Sequence, residues 1–295
     1  MSEAATVAGL LHDASLRLSG ALGLDRREAR IEARALAVHA WQVETAWLIA
    51  HDTDVRDAAQ AAAFLALLEQ RLAGRPIAYL TGKREFYGRD FRVTSDVLIP
   101  RPETELLVDQ ALLHLGPGQP LRVLDLGTGS GCVAVTIALE RPHAIVTAVD
   151  RSPAALAVAE GNARALGARV RLLQGDWFAA LAGERFDLIV ANPPYIAAAD
   201  PHLGHGDVRF EPLGALASGS DGFDDLRRIV GDAPAHLMPG AWLWLEHGFE
   251  QADLTQRLLG AAGLQQVQTR VDAAGLPRIS GGCRKTLQTA DSGSA

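Results

Sequence analysis

An amide side chain and two prolines follow an apolar run in the stretch VANPPYIA, residues 190–197. Neither Pro193 nor Pro194 has a backbone N–H, so a strand cannot continue through them, and their turn leaves carbonyl oxygens free to accept. The Asn192 side-chain oxygen and the Pro193 carbonyl can accept both hydrogens of a planar –NH₂ group, with Tyr195 flat against its π system. Such acceptors would orient the nitrogen lone pair toward an electrophilic methyl group. We therefore predict that Asn192, Pro193 and Tyr195 are catalytic; a rigid loop in which asparagine only caps a turn is the alternative.

A glycine-rich turn lies upstream, where the apolar run from Leu121 to Leu126 leads through GTGSG, residues 127–131, into CVAVTIALE. Glycines at a strand-to-helix turn allow positive φ and let a ligand approach the backbone closely. The next apolar run ends at Asp150, near the spacing at which an acid grips ribose hydroxyls. A dinucleotide site requires a third glycine where Cys132 stands, so the pattern suits S-adenosylmethionine better than a nicotinamide cofactor. A plain turn with glycine caps, and an acid that caps the next helix, is the structural alternative.

Further polar and aromatic residues follow other apolar runs. Asp176 and Trp177 come after the third run, where an acid can accept from an adenine amine and an indole can stack on its ring. A core tryptophan is the equal alternative for Trp177. His202 and His205 stand in a Gly/Pro-rich loop without further ligands nearby, so we interpret them as ordinary loop residues and predict no metal site.

The chain that must position these residues begins with helical patterns. Apolar residues recur at three- and four-residue spacing through residues 1–74, which predicts a small helical bundle. Residues 75–100 hold aromatic and β-branched residues around Gly88, which predicts a linker hairpin. Arg101 and Glu103, in IPRPETE, either help to order the active site or cap the helix that begins there.

Beyond residue 120, short apolar runs alternate with Ala/Leu-rich helical stretches. This alternation predicts an α/β fold with a doubly wound, mostly parallel, seven-stranded Rossmann-like sheet over residues 101–288. The last two strands are joined by a turn at Gly275-Leu276-Pro277. In such sheets, ligands bind at the carboxyl ends of the strands, so the NPPY turn should face the glycine loop. Residues 289–295 are predicted to be a disordered tail.

Composition limits the classes of function. The chain has 295 residues, 48% of them hydrophobic, and a formal net charge of −7, which argues against a dedicated DNA or RNA binder. Its two cysteines are too few for a disulfide framework. The opening residues lack the pattern of a signal peptide, and no apolar run approaches the roughly 18 residues of a membrane span. We therefore expect a cytoplasmic protein.

Taken together, DLGTGSG, Asp150, GDW and NPPY, in this order, resemble class I methyltransferases that act on planar nitrogens. More specifically, the chain resembles the HemK/PrmC family of release factor glutamine methyltransferases. The resemblance extends to GRPIAYLTGKREFYGRDFRVTSDVLIPRPETELLVD, to FEPLGALASGSDGFDDLRRIV and to DAAGLPRISGG. It covers about residues 70 to 285, whereas the N-terminal bundle matches only in size and helical character.

The resemblance implies a role for each matched residue. It implies that S-adenosylmethionine is bound by Gly127, Thr128, Gly129, Ser130, Gly131, Asp150, Trp177 and Asn192. It implies that the substrate glutamine is held by Asn192, Pro193, Pro194 and Tyr195. The implied substrate is the glutamine of the Gly-Gly-Gln loop of class 1 peptide release factors, methylated on its side-chain nitrogen during the control of translation termination. The helical domain and linker would bind the release factor, and we expect a monomer that does not contact nucleic acid directly.

Three other functions remain open at this point. A paralogous enzyme could methylate a glutamine of a ribosomal protein. An adenine methyltransferase would also present a planar amine to Asn-Pro-Pro-Tyr, although it needs a basic face for phosphates. A non-enzymatic ligand-binding or assembly module with the same fold would tolerate loss of Asn192.

Overall fold

The computed structural model describes residues 6–286, which fall into two compact units. The first unit comprises the described residues up to Lys83 together with His205–Phe210. The second comprises Arg84–Gly204 and the described residues from Glu211 onward. The predicted domain boundaries stay predictions, since this division follows compactness alone.

Five α-helices make up most of the described part of the first unit, which confirms the helical pattern predicted for residues 1–74 from residue 6 onward. They are α1 (Val7–Leu22), α2 (Arg26–Trp41), α3 (Thr45–Ala50), α4 (Ala58–Leu72) and α5 (Ile77–Thr81). Three of them begin where a polar side chain accepts from backbone N–H groups of the first turn, namely Thr6, Asp25 and Asp57. The buried faces of α1, α2 and α4 form one apolar core around Phe64.

A buried arginine joins distant parts of the first unit. The Arg71 side chain on α4 is 5% exposed. Its guanidinium donates to both carboxylate oxygens of Glu32, at 2.7 and 2.9 Å, and to Asp207 at 2.7 Å. A buried cation is tolerated only when it is paired. These ion pairs therefore fix the segment His205–Phe210 within the first unit.

A hairpin follows α5, as predicted around Gly88. Strands β1 (Lys83–Phe86) and β2 (Arg89–Arg92) pair with each other. Tyr87 and Gly88 join them with φ angles of 52° and 73°. Positive φ at both central residues is what the tight hairpin turn requires, and glycine adopts it without steric cost.

Seven strands of the second unit form one sheet, which confirms the predicted fold class. They are β3 (Arg122–Leu126), β4 (Ile145–Asp150), β5 (Val170–Gln174), β6 (Phe186–Ala191), β7 (Leu237–Glu246), β8 (Gln265–Val271) and β9 (Pro277–Cys283). Their order is β5-β4-β3-β6-β7-β9-β8, and β9 runs antiparallel to both of its neighbours. The other neighbouring pairs are parallel. Residues 272–276 join β8 and β9, so Gly275 and Leu276 lie in the connection as predicted, whereas Pro277 is the first residue of β9.

Helices cover both faces of this sheet. They are α6 (Glu105–His114), α7 (Cys132–Glu140), α8 (Pro153–Leu166), α9 (Asp224–His236) and α10 (Ala252–Ala261). Successive residues of a strand point to opposite faces. Accordingly, Val123 and Val190 pack in a cluster with α6, α7 and α8, while Leu124 and Ile189 pack in a second cluster with α9 and α10. Strands buried on both faces explain the continuous apolar runs in the sequence.

The parallel pairing brings the functional loops to one edge. Because β3 to β7 run in the same direction, the residues that follow their carboxyl ends share that edge of the sheet. In particular, β3 and β6 are direct neighbours, which confirms that NPPY lies beside the glycine loop. The connection from β5 to β6 contains turns rather than a helix.

Two expectations concern other properties of the chain. Within residues 6–286, no helix is both long and apolar enough to cross a membrane. The predicted tail, 289–295, lies outside the described residues.

Candidate functional site at the carboxyl edge of the sheet

The glycine loop connects β3 to α7 with positive φ at each of its glycines. The φ angles are 72° at Gly127, 54° at Gly129 and 80° at Gly131. The Gly127 N–H donates to the Val149 carbonyl at 2.9 Å, which ties the loop to the neighbouring strand β4. A Cβ at Gly131 would lie 3.0 Å from the Cβ of Ala159, so close packing against α8 also requires glycine there.

Buried polar groups beneath the loop hold its shape. The Thr128 hydroxyl donates to Asp125 at 2.6 Å, so this side chain points inward, toward the end of β3. Burial raises the pKa of Asp125 to about 7, although hydrogen bonds from Thr128 and the Ala134 backbone oppose the rise. Cys132 is buried directly after the loop and packs in the apolar cluster with α6 and α7. Thr128 therefore links the glycine loop to the end of β3.

Asp150 stands at the end of β4 and faces the loop. Its carboxylate accepts from the Gly129 N–H and from the Ser152 N–H, each at 2.9 Å. The helix that follows is capped by Ser152, whose hydroxyl accepts from the Ala155 N–H at 3.2 Å. Helix capping therefore does not account for Asp150. Each carboxylate oxygen keeps a lone pair for a further donor, which fits a grip on vicinal hydroxyls.

The Trp177 ring lies against the backbone of the glycine loop at Gly127. Its φ angle is 51°, and its indole N–H donates to Asp225 at 3.1 Å. A Cβ on Gly127 would lie 3.1 Å from the Trp177 ring, so glycine is needed for the ring to rest on the backbone. The neighbouring Asp176 pairs with Arg228 at 2.7 Å. Trp177 thus packs against the apolar core and also lines the larger cavity, and its stacking on an adenine stays a prediction.

The Asn192 side chain is oriented by protein partners. Its Nδ2 donates to the Thr104 hydroxyl at 3.1 Å. It also lies near Glu246, at the end of β7, where hydrogen bonding by the amide opposes the rise in the pKa of that carboxyl. A carboxylate only accepts, so the end of the amide that faces Glu246 is its NH₂ group. Within the described chain, Oδ1 makes no hydrogen bond and remains for a ligand.

Glu246 and Thr104 are site residues that the sequence analysis missed. Each is 2% exposed. Burial raises the pKa of Glu246 to about 7, and hydrogen bonding by Thr104 opposes the rise. A carboxylate at the end of AWLWLE satisfies the same strand-end rule that selected Asp150, so the signal was present. Thr104 gives no comparable signal, because its role depends on contacts far along the chain.

The remaining residues of the NPPY turn support it in different ways. Pro194 lines the larger cavity described below, whereas Pro193 and Tyr195 line neither of the two cavities formed there by the described residues. The Tyr195 carbonyl accepts from the Gln251 side chain at 2.9 Å, which anchors the turn. Burial raises the pKa of the Tyr195 phenol above its usual range.

Two adjoining cavities occupy this edge of the second unit, with volumes of about 190 and 40 Å³. Both are lined by Leu98, Gly127, Gly129 and Asn192. The larger one also contacts Asp150, Trp177 and Pro194. The smaller one also contacts Thr104, Thr128 and Ser130. The structure therefore brings most of the predicted site residues together, while Gly131 supports the loop from outside the lining.

An ion pair joins two segments of the cavity wall. The Arg101 guanidinium donates to the buried carboxylate of Glu211, which also accepts from the Ile99 N–H at 2.9 Å. Leu98 lies on one of these segments and Pro212 on the other, and both line the larger cavity. Of the two predicted roles for Arg101, ordering the site is therefore the one that its contacts support.

Other candidate sites lie away from this chemistry. An open groove of about 830 Å³ is larger, but its lining includes Ile145 and Val170, at the amino ends of β4 and β5. Ligands of open α/β sheets bind at the opposite ends. His202 contacts Asp200 at 2.8 Å in its loop. Across residues 6–286, no group of three or more His, Cys, Asp and Glu side chains could hold a metal ion.

Two family models match separate parts of the chain. Residues 103–205 match the family model of the methyltransferase small domain, and residues 9–82 match that of the PrmC N-terminal domain. A methyltransferase from Pyrococcus furiosus, solved by crystallography, is 18% identical with a TM-score of 0.52. That alignment covers 74% of this chain and 98% of the other, and it shows the fold alone.

Closer relatives extend over nearly the whole chain. The release factor glutamine methyltransferase of Bordetella pertussis is 58% identical over 86% of this chain and 94% of its own length. That of Xylella fastidiosa strain Temecula1 is 52% identical over 87% of this chain and 94% of its own length. The chain therefore belongs to the release factor glutamine methyltransferase family.

Proposed function

We propose that this chain methylates the side-chain amide nitrogen of the glutamine in the Gly-Gly-Gln loop of class 1 peptide release factors. The observation that carries the proposal is the Asn192 amide, whose nitrogen donates to Thr104 while its oxygen has no hydrogen-bond partner within residues 6–286. The functions of the relatives at 58% and 52% identity support this substrate. The enzyme class is an S-adenosylmethionine-dependent protein-glutamine methyltransferase.

The residues at the carboxyl edge fit the methyl donor, S-adenosylmethionine. The Asp150 carboxylate is held by two backbone N–H groups and keeps acceptor capacity for the ribose hydroxyls. The Trp177 ring, fixed by Asp225, offers a face to the adenine. A Cβ at Gly129 would meet no protein atom within 4 Å, so this part of the loop borders open space. We assign Gly127 to Gly131, with these side chains and Asn192, to the donor.

The substrate amide would be oriented by two acceptors. Asn192 Oδ1 and the Pro193 carbonyl would each accept one hydrogen of the glutamine –NH₂ group, and Tyr195 and Pro194 would complete the turn that holds it. An amide nitrogen is a weak nucleophile because its lone pair is delocalised into the carbonyl. Fixing both hydrogens holds the nitrogen in line for transfer and stabilises the positive charge that develops there.

The reaction balances without a metal or a redox partner. S-adenosylmethionine supplies a methyl group bound to a positively charged sulfur and leaves as S-adenosylhomocysteine. The new N–C bond would replace the S–C bond, and the amide nitrogen would release one proton to water. The residues of this chain hold the amide, exclude water and stabilise charge.

Several finer assignments follow from the same proposal. We assign residues 1–74 to release factor recognition, residues 75–100 to a linker and residues 101–288 to the methyltransferase domain. We expect a monomer without direct nucleic-acid contacts, since a net charge of −7 disfavours binding to phosphates. A cytoplasmic location fits a substrate that acts on ribosomes.

A methyl-transfer assay with labelled S-adenosylmethionine tests the proposal. Three acceptors are compared: a class 1 release factor, the same factor with its loop glutamine changed to alanine, and duplex DNA. We expect label in the first acceptor alone. Label in DNA with none in the release factor would move the function to nucleic acid.

Asn192→Ala tests the role of the amide. Loss of one of two oriented hydrogen-bond partners should lower the transfer rate by about 100-fold. Donor affinity, measured by calorimetry, should fall by less than the rate because Asp150 and Trp177 remain. A variant that transfers at the wild-type rate would refute the two-acceptor arrangement.

A further inference from the structure

We infer that Glu246 is a positioning residue of the transfer reaction: acting through Thr104, it fixes the Asn192 amide with its oxygen toward the substrate. The inference rests on the proposed function, and it adds a residue that the NPPY and glycine-loop motifs do not contain. Its basis is the arrangement of three side chains that come from different elements, namely β7, the turn before α6 and the segment after β6.

The hydrogen bond between Asn192 and Thr104 has a defined direction. Asn192 Nδ2 donates to the Thr104 hydroxyl oxygen at 3.1 Å, which leaves the hydroxyl hydrogen for the Glu246 carboxylate. An ionised carboxylate cannot donate, so the chain of donors runs from Asn192 through Thr104 to Glu246. In this direction, only Nδ2 can face the two protein partners. The Oδ1 atom must then point away from them.

The Glu246 carboxylate is buried although one of its oxygens has no hydrogen-bond partner among the described residues. Glu246 and Thr104 are each 2% exposed, and Oε2 of Glu246 has no hydrogen-bond partner in the part of the chain described. Keeping a buried carboxylate with an unsatisfied oxygen is costly for stability. The apolar strand β7 would accept an isosteric apolar residue more easily. The arrangement is therefore better explained by what it does to Asn192 than by stability.

The ionisation state of Glu246 decides whether the Asn192 amide keeps this orientation. A protonated Glu246 could donate to Thr104, which would let the Thr104 hydroxyl donate to Asn192 Oδ1 with the amide reversed. Burial raises the pKa of Glu246 to about 7, so this change falls near neutral pH. The reversed amide would present two donors to a substrate –NH₂ group, which needs acceptors. Transfer should therefore weaken as the pH falls.

Charged and titratable groups around Glu246 set the pH at which this carboxylate becomes protonated. Glu103, in the turn before α6, raises the pKa of Glu246, and Arg278 on β9 lowers it. Glu246 in turn helps to raise the pKa of Tyr195, in the NPPY turn, and of Cys132 at the start of α7. Tyr195 and Cys132 stay neutral in the physiological range, so Glu246 is the group among these that changes charge near pH 7.

The test compares wild type, Glu246→Gln, Thr104→Val and Thr104→Ser at saturating donor from pH 5.5 to 9. Loss of the amide orientation should reduce transfer to a release factor by about tenfold or more in E246Q and T104V at pH 8. T104S keeps the hydroxyl and should stay within about threefold of wild type. The wild-type rate should fall below pH 7, and E246Q should lose this dependence. Calorimetry should show a weaker Kd for the release factor in both impaired variants without donor present.

Two matched controls separate positioning from folding. Thr136→Val removes another fully buried threonine hydroxyl, one that has no hydrogen-bond partner within residues 6–286, and should leave transfer unchanged. Asp125→Asn checks whether the other carboxyl with a pKa near 7 shapes the pH profile. E246Q with the pH profile of wild type, or T104V as active as T104S, would overturn the inference. No transfer by the unaltered chain would overturn the proposed function and this inference together.

Discussion

Replacing Arg101 should destabilise the second unit through its effect on a buried carboxylate. The Glu211 side chain is 0% exposed and that of Arg101 is 30% exposed. In Arg101→Met, Glu211 keeps only the Ile99 N–H at 2.9 Å. Breaking a buried ion pair costs about 3–5 kcal/mol, and partial exposure lets water replace part of it, so we expect about 2–3 kcal/mol. Glu211→Gln keeps an acceptor for Ile99 and leaves a partly hydrated cation, so about 1 kcal/mol is expected.

A double-mutant cycle isolates the interaction between the two side chains. The double variant R101M/E211Q buries no unpaired charge, so it should cost about 1–2 kcal/mol, which gives a coupling of about 2 kcal/mol between the single changes. Urea unfolding of the four proteins measures these free energies. Single changes that add to within about 0.5 kcal/mol would refute an energetic link between the two cavity walls. A variant with normal stability and weaker donor binding would instead place the effect on the cavity.

Two further predictions concern the glycine loop and its buried support. Gly131→Ala would place a Cβ 3.0 Å from that of Ala159 at a φ of 80°, and should lower unfolding free energy by about 2 kcal/mol. Gly161→Ala, in α8 with no atom within 4 Å of the added Cβ, should be neutral or stabilising in the same thermal melts; equal losses would refute the packing argument. Asp125 has a pKa raised to about 7, so its burial favours the protonated state and the folded protein loses stability as the pH rises from about 4 toward 7. The stability gain of Asp125→Asn over wild type should therefore be larger at pH 8 than at pH 5, and an equal gain at both would show that this carboxyl does not titrate there.

Site residues that directly follow the end of a strand could be predicted from the sequence of that one segment. The glycine loop and Asp150 follow directly from the end of an apolar strand, and parallel pairing places such ends side by side. Asn192 was predicted in the same way, because two prolines end the strand beside it. The position of each residue could therefore be predicted from the sequence.

Contacts between distant segments could not be predicted in this way. Thr104 and Glu246 matter because each reaches Asn192 from another element, and no periodicity encodes that meeting. The role of Arg101 stayed open until its partner Glu211 was known, since an arginine before a helix also suits capping. The inward direction of the Thr128 hydroxyl likewise depends on burial of the acid below it.

The position of Trp177 gives the protein an internal optical probe. The chain has five tryptophans, and Trp41 and Trp47 belong to the first unit while Trp242 and Trp244 lie on β7. Trp177 is the one that lines the larger cavity. An adenine ring stacked on its indole would change its fluorescence, while the other four rings would report only a constant background. Binding of the methyl donor could then be followed in real time by tryptophan fluorescence without any label. The Trp177→Phe variant would serve as the control, because it lacks the ring that responds to the donor.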